Sequence, residues 1–388
     1  MTIDTSYQDQ FPFLFAGNAG TIKITASANE RVPIELSYVS IKGVSSPVIL
    51  YHATFALTAG MNGRIELNFK EILLSMSSIL SGFKNKFLGE FIFGMTEREQ
   101  IWIKFGEGSY AVTHKYRVFA GQLGDEECQR VYDGRKFITV RSQIGVSKPM
   151  GTDYVPIVTG EKSHLFFVFY FDIIPPVKYQ YPYSLGKGLN SVDMAYPSIR
   201  KFADDAGYSE YELKAYDIWA ETSLKDDNGD VTSVVKSEVL RFIVSDNKVS
   251  TFEFLGSVGL METIYATGNR KTELTTEPTS FTNGGIECEL TNDSRLINET
   301  FTGWLESKEE VRFWQEFFSS ARRYAVIDGV SRRIVIDEVD SEGTEGELNA
   351  FSFKWHYADK HDDPSMVPIR KELKQYKIRT ILKNAKKE

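Results

Sequence analysis

Hydrophobic and polar positions alternate with a period near two along most of the chain, the pattern of strands with one buried face. It predicts strands over residues 21–25, 33–39, 51–57 and 65–69, then 87–93, 101–105, 110–119 and 137–140. A run at 165–173, Leu165-Phe166-Phe167-Val168-Phe169-Tyr170-Phe171-Asp172-Ile173, is apolar enough for a strand covered on both faces. Residues 211–219 and 238–244 read as a strand pair, with Asp226-Asp227-Asn228-Gly229-Asp230 as a hairpin tip between them. Further strands are expected at 251–255 and 262–266 around a Gly256-Ser257-Val258-Gly259 turn, and at 286–290, 299–301 and 334–339. Phe351-Ser352-Phe353-Lys354-Trp355-His356-Tyr357 alternates most cleanly, with four aromatic rings on one face and Ser352, Lys354 and His356 on the other.

Two segments carry a helical period instead. Residues 71–80 place Ile72, Leu73, Met76, Ile79 and Leu80 on one side, as a short helix plugging a sandwich or barrel. Ser307-Lys308-Glu309-Glu310 is a capping box, in which Ser307 caps the Glu310 amide while the Glu310 side chain reaches back. The helix it starts is predicted over 308–323, with Val311, Trp314, Phe317, Phe318 and Ala321 on its buried side.

These elements define a mainly β fold class: two or three β-sandwich or barrel-like domains with short packed helices. Gly, Ser and Pro between 145 and 160 mark a first boundary near 155. The expected organisation is an N-terminal β-rich domain with a short helix (1–155), a central β-rich domain or insertion (156–248), a C-terminal β-rich domain with the helix (249–363), and a basic tail (364–388).

The composition narrows the function class more than it identifies a function. The chain has 388 residues and a net charge of -8, which argues against a whole-protein nucleic-acid surface. The segment from Arg370 to Glu388 runs against that balance, with eight basic and two acidic residues. The segment reads first as a solubilising or disordered end; Arg370, Lys371, Lys374, Lys377, Arg379 and Lys383 also make it a docking-tail candidate, for an acidic neighbouring subunit before a polyanion. No run is long and apolar enough for a membrane-spanning helix, and the first residues lack the charged flank and apolar core of a secretory signal.

Candidate chemistry is sparse. The two cysteines, Cys128 and Cys288, form no CxxC pair. His52, His114 and His164 are scattered, and His356 and His361 lack the spacing of a zinc site. Asp226-Asp227-Asn228-Gly229-Asp230 departs from the calcium-loop pattern and reads as a solvated turn. Gly186-Lys187-Gly188 has no phosphate-loop frame, Gly256-Ser257-Val258-Gly259 is not a dinucleotide fingerprint, and there is no G-x-S-x-G elbow. No catalytic residue, metal or cofactor is assigned. Tyr179-Gln180-Tyr181-Pro182-Tyr183 is read as an exposed loop, structural in the first place, in which Tyr179, Tyr181 and Tyr183 also offer apolar rings with wet hydroxyls, suited to protein or glycan contacts.

The stretch from Phe252 through Glu253-Phe254-Leu255-Gly256-Ser257-Val258-Gly259-Leu260-Met261-Glu262-Thr263-Ile264-Tyr265-Ala266-Thr267 to Gly268 resembles tail-associated structural proteins encoded by Bacteroidetes phages and prophages. Gly303-Trp304-Leu305, Trp314-Gln315-Glu316-Phe317-Phe318-Ser319-Ser320, Phe351-Ser352-Phe353-Lys354 and the 51–69 region carry the same resemblance, whereas the basic end departs from it. The resemblance implies a β-rich virion or tail-tip component that works by homo-oligomeric or virion assembly or by host-surface contact, with no catalytic set to transfer. A carbohydrate-binding or surface-adhesion protein is the competing class, with a glycoside hydrolase behind it. Two carboxylates at a suitable separation would be needed for the last, and abundance of Asp and Glu does not supply them.

Overall fold

The computed structural model describes residues 1–11, 13–40, 47–75, 99–119, 121–147, 153–159, 163–225, 231–245, 249–283, 286–327, 329–342 and 349–358. The chain forms two compact units: Met1–Asp246 with Leu255–Glu262, and Asn247–Phe254 with Thr263–Glu388. The mainly β expectation is met in both, and among the described residues the sheets are open.

In the first unit, β1 (Thr2–Asp4), β3 (Thr21–Thr25) and β6 (Arg64–Asn68) form one sheet in the order β1-β3-β6. A second sheet runs β5 (Val48–Thr58), β4 (Arg31–Ser40), β7 (Glu99–Phe105), β8 (Val112–Tyr116). Both β3 and β6 bury every second residue, which sets Ile22, Ile24, Ile65 and Leu67 against Ile34, Leu36, Ile103 and Phe105 in one core. Helix α1 (Phe69–Ser75) adds Phe69 and Leu73 to it. The predicted helix at 71–80 is therefore present from Phe69, and its residues 76–80 lie outside the described ones, as does the expected strand at 87–93.

A second core of this unit gathers Phe13 and Phe15, the latter from β2 (Leu14–Phe15), which pairs in parallel with β9 (Val118–Phe119). Helix α2 (Asp125–Tyr132) contributes Cys128 and Val131, and the 255–262 segment contributes Val258 and Leu260. Residues 137–140, expected as a strand, pass through this region without entering a ladder, and the Thr139 amide turns back to the Phe137 carbonyl. Their amides find mixed partners: Glu238 accepts the Phe137 amide, the Pro156 carbonyl accepts that of Ile138, and Glu262 accepts the Val140 amide.

The third core lies under a sheet ordered β10 (Ile144–Ser147), β17 (Leu240–Val244), β15 (Leu213–Lys225), β12 (Ser163–Phe171), β13 (Val177–Leu185), with β16 (Val231–Lys236) on β15. The expected pairing of the 211–219 and 238–244 segments is the β15–β17 ladder. The acidic tip at 226–230 lies outside the described residues. Phe167, Phe169, Tyr216, Ile218 and Phe242 face Val155, Ile157 and Val192 of the two-stranded sheet β11 (Tyr154–Thr159)–β14 (Gly188–Asp193), and Ile199 and Ala203 of helix α3 (Tyr196–Asp205). Strand β12 alternates strictly between buried and half-buried residues, so only one of its faces is fully covered.

The second unit packs helix α4 (Lys308–Ser319) on a seven-stranded sheet. Its order is β19 (Met261–Ala266), β18 (Ser250–Leu255), β22 (Arg323–Ile327), β23 (Val330–Glu342), β24 (Ala350–Tyr357), β21 (Ile286–Phe301), β20 (Arg270–Asn283). The capping box forms as expected, with the Glu310 amide donating to Ser307 Oγ at 3.1 Å and the Ser307 amide to Glu310 Oε2 at 3.2 Å. Trp314 and Phe317 pack on Phe353, and Phe317 also meets Phe252 and Phe254 in edge and tilted ring contacts. The helix is shorter than the expected 308–323. Ser320 turns extended, Arg323 Nη1 donates to the Phe318 carbonyl, and Arg323 opens β22, which leaves Ala321 exposed. Along β24, Phe351, Phe353, Trp355 and Tyr357 are all buried, while Lys354 reaches Glu338 and His356 reaches Asp337 on the other face.

Candidate interaction surface and the placement of charged groups

Tyr179, Tyr181 and Tyr183 lie on strand β13, and the exposed-loop expectation is corrected accordingly. Val177, Tyr179 and Tyr181 alternate with the outward Lys178 and Gln180, a two-residue period obscured in the sequence by Pro182. The strand is an edge: among the described residues β12 is its one partner. Its register slips between His164 and Phe166, so that Leu165 faces three β13 residues, Tyr181 to Tyr183. A bulge re-aims side chains and tolerates proline on an edge strand. Here it separates the fates of the tyrosines.

Tyr179 stacks on Phe169 at 5.8 Å, and Tyr181 meets Phe202 of α3 edge-on at 5.0 Å. Burial pushes both phenols above their ordinary value, so their hydroxyls stay protonated donors. Tyr183 is 67% exposed, with its ring 5.5 Å from that of Tyr181 and tilted against it. Position 183 is thus the accessible ring, and 179 and 181 are its half-buried support. The basic residues Arg370, Lys371, Lys374, Lys377, Arg379 and Lys383 lie outside the described residues.

Sequence reasoning missed the other face of this sheet. Phe166 and Trp219 stack at 5.6 Å, with Lys178 and Lys236 lying over the Trp219 ring. Next to them Arg241 donates to Asp217 through Nε at 2.6 Å and Nη2 at 2.8 Å, and Tyr170 donates to Asp217 at 2.8 Å. The signal was available in the half-polar alternation of β12 and β15, but the apolar run at 165–173 masks it.

The most enclosed charges centre on Arg141. Its two terminal nitrogens donate to Asp153 at 2.7 and 2.8 Å, and Nη2 lies 3.3 Å from Glu262. All three side chains are nearly solvent-free. Glu262 further accepts from the Thr139 hydroxyl at 2.9 Å and the Val140 amide at 3.1 Å. Desolvation holds the Glu262 carboxyl above its ordinary value despite Arg141, Thr139 and Val140, all of which pull it down. Asp193, hydrogen-bonded to the Ala195 amide and Ser198, and Glu238 are likewise raised by burial. Asp153 and Glu262 share one guanidinium between them, whereas a glycosidase pair faces a sugar from two sides. This constellation ties 139–141, 153 and 262 together.

The histidines stay apart: His52 meets Ser37, His114 meets Thr5, and His356 meets Asp337, while His361 lies outside the described residues. Among the described residues no helix is long and apolar enough to cross a membrane.

No family model matches the chain, and no curated protein matches it. A solved chain from the virion of a native gene transfer agent particle aligns with 12% identity over 30% of this chain and 95% of that chain. Its TM-score is 0.21, too low for the likeness to carry a conclusion.

Proposed function

We propose that the chain is a structural or interaction protein without a catalytic role, a tail-associated component of a phage or prophage virion that acts through subunit assembly or host-surface contact. The observation that carries this reading is edge strand β13, an open strand edge on which a bulge presents Tyr183 over a rigid aromatic base. Open edges are templates for pairing with another chain, and a tyrosine held on a packed support buries area with little loss of side-chain freedom. The resemblance of residues 252–268 to tail-associated proteins supports the virion setting. The partners in this reading are other copies of the chain or other virion proteins, met in the cytoplasm of the producing cell before assembly.

Sedimentation velocity over a concentration series tests it, alone and with co-expressed neighbouring gene products. Replacing Tyr183 with Asp is expected to abolish association while leaving the monomer folded. Association unchanged in that variant removes β13 as the contact. A carbohydrate-binding reading draws on the same exposed ring, since sugars stack on aromatic faces. Glycan-array binding that is lost in the Tyr183→Asp variant would favour it over assembly.

A further inference from the structure

Most open sheet edges of the chain are blunted against pairing. Among the described residues, the other edge strands longer than four residues each carry a charged residue or a proline, as Arg64 in β6, Lys115 in β8, Lys178 and Pro182 in β13 and Lys236 in β16. Such residues discourage a second chain from adding to the sheet. Strand β5 is the exception. Its 11 residues, Val48–Thr58, include no Asp, Glu, Lys, Arg or Pro, and among the described residues β4 is its one partner. Ile49 and Tyr51 on it are 57% and 36% exposed.

The ladder fixes which amides of β5 are free. In an antiparallel pair, successive residues turn their amides alternately toward the partner strand and away from it. The Ala59 amide donates to the Glu30 carbonyl at 2.8 Å, so Leu57, Phe55 and Ala53 bond to β4, and the amides of His52, Thr54, Ala56 and Thr58 point to the open side. Across β4 the Pro33 carbonyl accepts from Gly106, in keeping with the same alternation. Side chains divide in the same register. Phe55 and Leu57 lean onto the core of this unit, while His52, Thr54 and Thr58 are exposed on the other face.

A strand of this kind matches itself. Turned about a two-fold axis at Phe55, a second β5 would set Thr54 opposite Ala56 and His52 opposite Thr58, the residues whose amides face outward. Phe55 would then meet its own copy, and Ala53 would meet Leu57. Opposed residues of an antiparallel pair share a face, so apolar side chains meet apolar ones and no like charges are brought together. Closed two-fold contacts of this sort are the commonest way in which identical chains associate. The contact is nevertheless small. Residues 52–58 offer about 24 Å of strand edge, well short of the roughly 1,200–2,000 Å² that a stable interface buries. It therefore acts between copies that another contact has already brought together, where a high effective concentration lets a weak pairing form.

We propose that two copies of the chain join through β5, antiparallel and two-fold about Phe55, merging their four-stranded sheets into one continuous sheet. The proposal rests on the assembly reading for the first contact, at β13. Hydrogen exchange at single-amide resolution, on the assembled chain and on the Tyr183→Asp monomer, tests it. Amides of Thr54, Ala56 and Thr58 are expected to exchange at least about tenfold more slowly in the assembly, with those of Ala53, Phe55 and Leu57 protected in both. Phe55→Cys is expected to give, on mild oxidation, a disulfide joining the two substituted positions, because opposed residues at the axis lie within bridging distance. Ala56→Pro removes an outward amide and leaves the β4 ladder whole, which keeps the test independent of how position 55 tolerates substitution. It is expected to abolish the added protection of Thr54 and Thr58 while Ala53, Phe55 and Leu57 stay protected.

An assembly whose Thr54, Ala56 and Thr58 amides exchange as fast as in the monomer overturns the β5 contact and leaves that at β13 in place. Protection already present in the monomer means that the edge is covered within one chain, and it overturns the proposal as well. Protection on assembly without the disulfide assigns the edge to a different strand and overturns the two-fold pairing. Absence of any association in the unaltered chain overturns the assembly reading and this contact with it.

Discussion

Glu262 accepts the Val140 amide at 3.1 Å, so a buried carboxylate supplies the hydrogen bond that a sheet neighbour would otherwise give. The same carboxylate takes the Thr139 hydroxyl and lies 3.3 Å from Arg141 Nη2. Residues 137–140 are thereby held in place, with Phe137, Ile138 and Thr139 buried, without entering a sheet. The arrangement makes the stability of this region depend on a few side chains.

Arg141→Met leaves Asp153 and Glu262 buried with their shared cation gone. Removing one partner of a buried ion cluster costs about 3–5 kcal/mol. The expected result is a loss of that size in urea unfolding, partly recovered when Asp153→Asn and Glu262→Gln are added. A single variant as stable as the unaltered chain would show that the cluster contributes nothing net.

Asp193, Glu238 and Glu262 have carboxyl pKa values raised by burial. The folded chain then holds protons that the unfolded chain has released, and stability falls as pH rises from the ordinary carboxylate values of 3.8 and 4.5 toward the raised ones. Glu238→Gln removes one such group while keeping an acceptor for the Phe137 amide. The unfolding midpoint of the unaltered chain is expected to drop relative to this variant as pH increases above 4.5. A gap between the two midpoints that is constant with pH would contradict the assignment.

Gly303 has a φ of +88°, and a Cβ there would sit 2.0 Å from Thr267 Oγ1. Gly303→Ala therefore suffers both backbone strain and a clash, a combined cost of roughly 1–3 kcal/mol or more. Calorimetry is expected to show a lowered transition for Gly303→Ala. Adding Thr267→Ala should recover only the part due to the clash.

Ser307→Ala removes the acceptor that caps the Glu310 amide. Losing such a cap costs about 1 kcal/mol, and Ser307→Asp, which keeps an acceptor at the helix start, should be close to neutral. Urea midpoints of the two variants separate capping from any general intolerance of position 307.

Where one physical rule acts by itself, the sequence is a good guide. The alternation at 351–357 becomes β24 with its aromatic face buried, and Ser307 with Glu310 starts α4 at the expected residue. Errors arise where two rules compete. At β13, Pro182 and the bulge around it break a two-residue period that Val177, Tyr179 and Tyr181 otherwise keep. At 137–140 the period is that of a strand, but the amides of Phe137 and Val140 go to carboxylates about a hundred residues or more away in sequence. Helix α3 carries Pro197 in its first turn and leans on Asp193 just before it, which accepts from the Ala195 amide and the Ser198 hydroxyl. The prominence of Tyr183 was likewise invisible, because it depends on a register slip that no local pattern records.

The short stretch Leu255–Glu262 belongs with residues far upstream of it, although the chain on either side belongs to the other unit. A gene fragment ending at residue 246 would leave Arg141 without Glu262 and its core without Val258 and Leu260. No single cut in the chain leaves both units whole: one after Asp246 takes Leu255–Glu262 from the first, and one after Glu262 takes Asn247–Phe254 from the second.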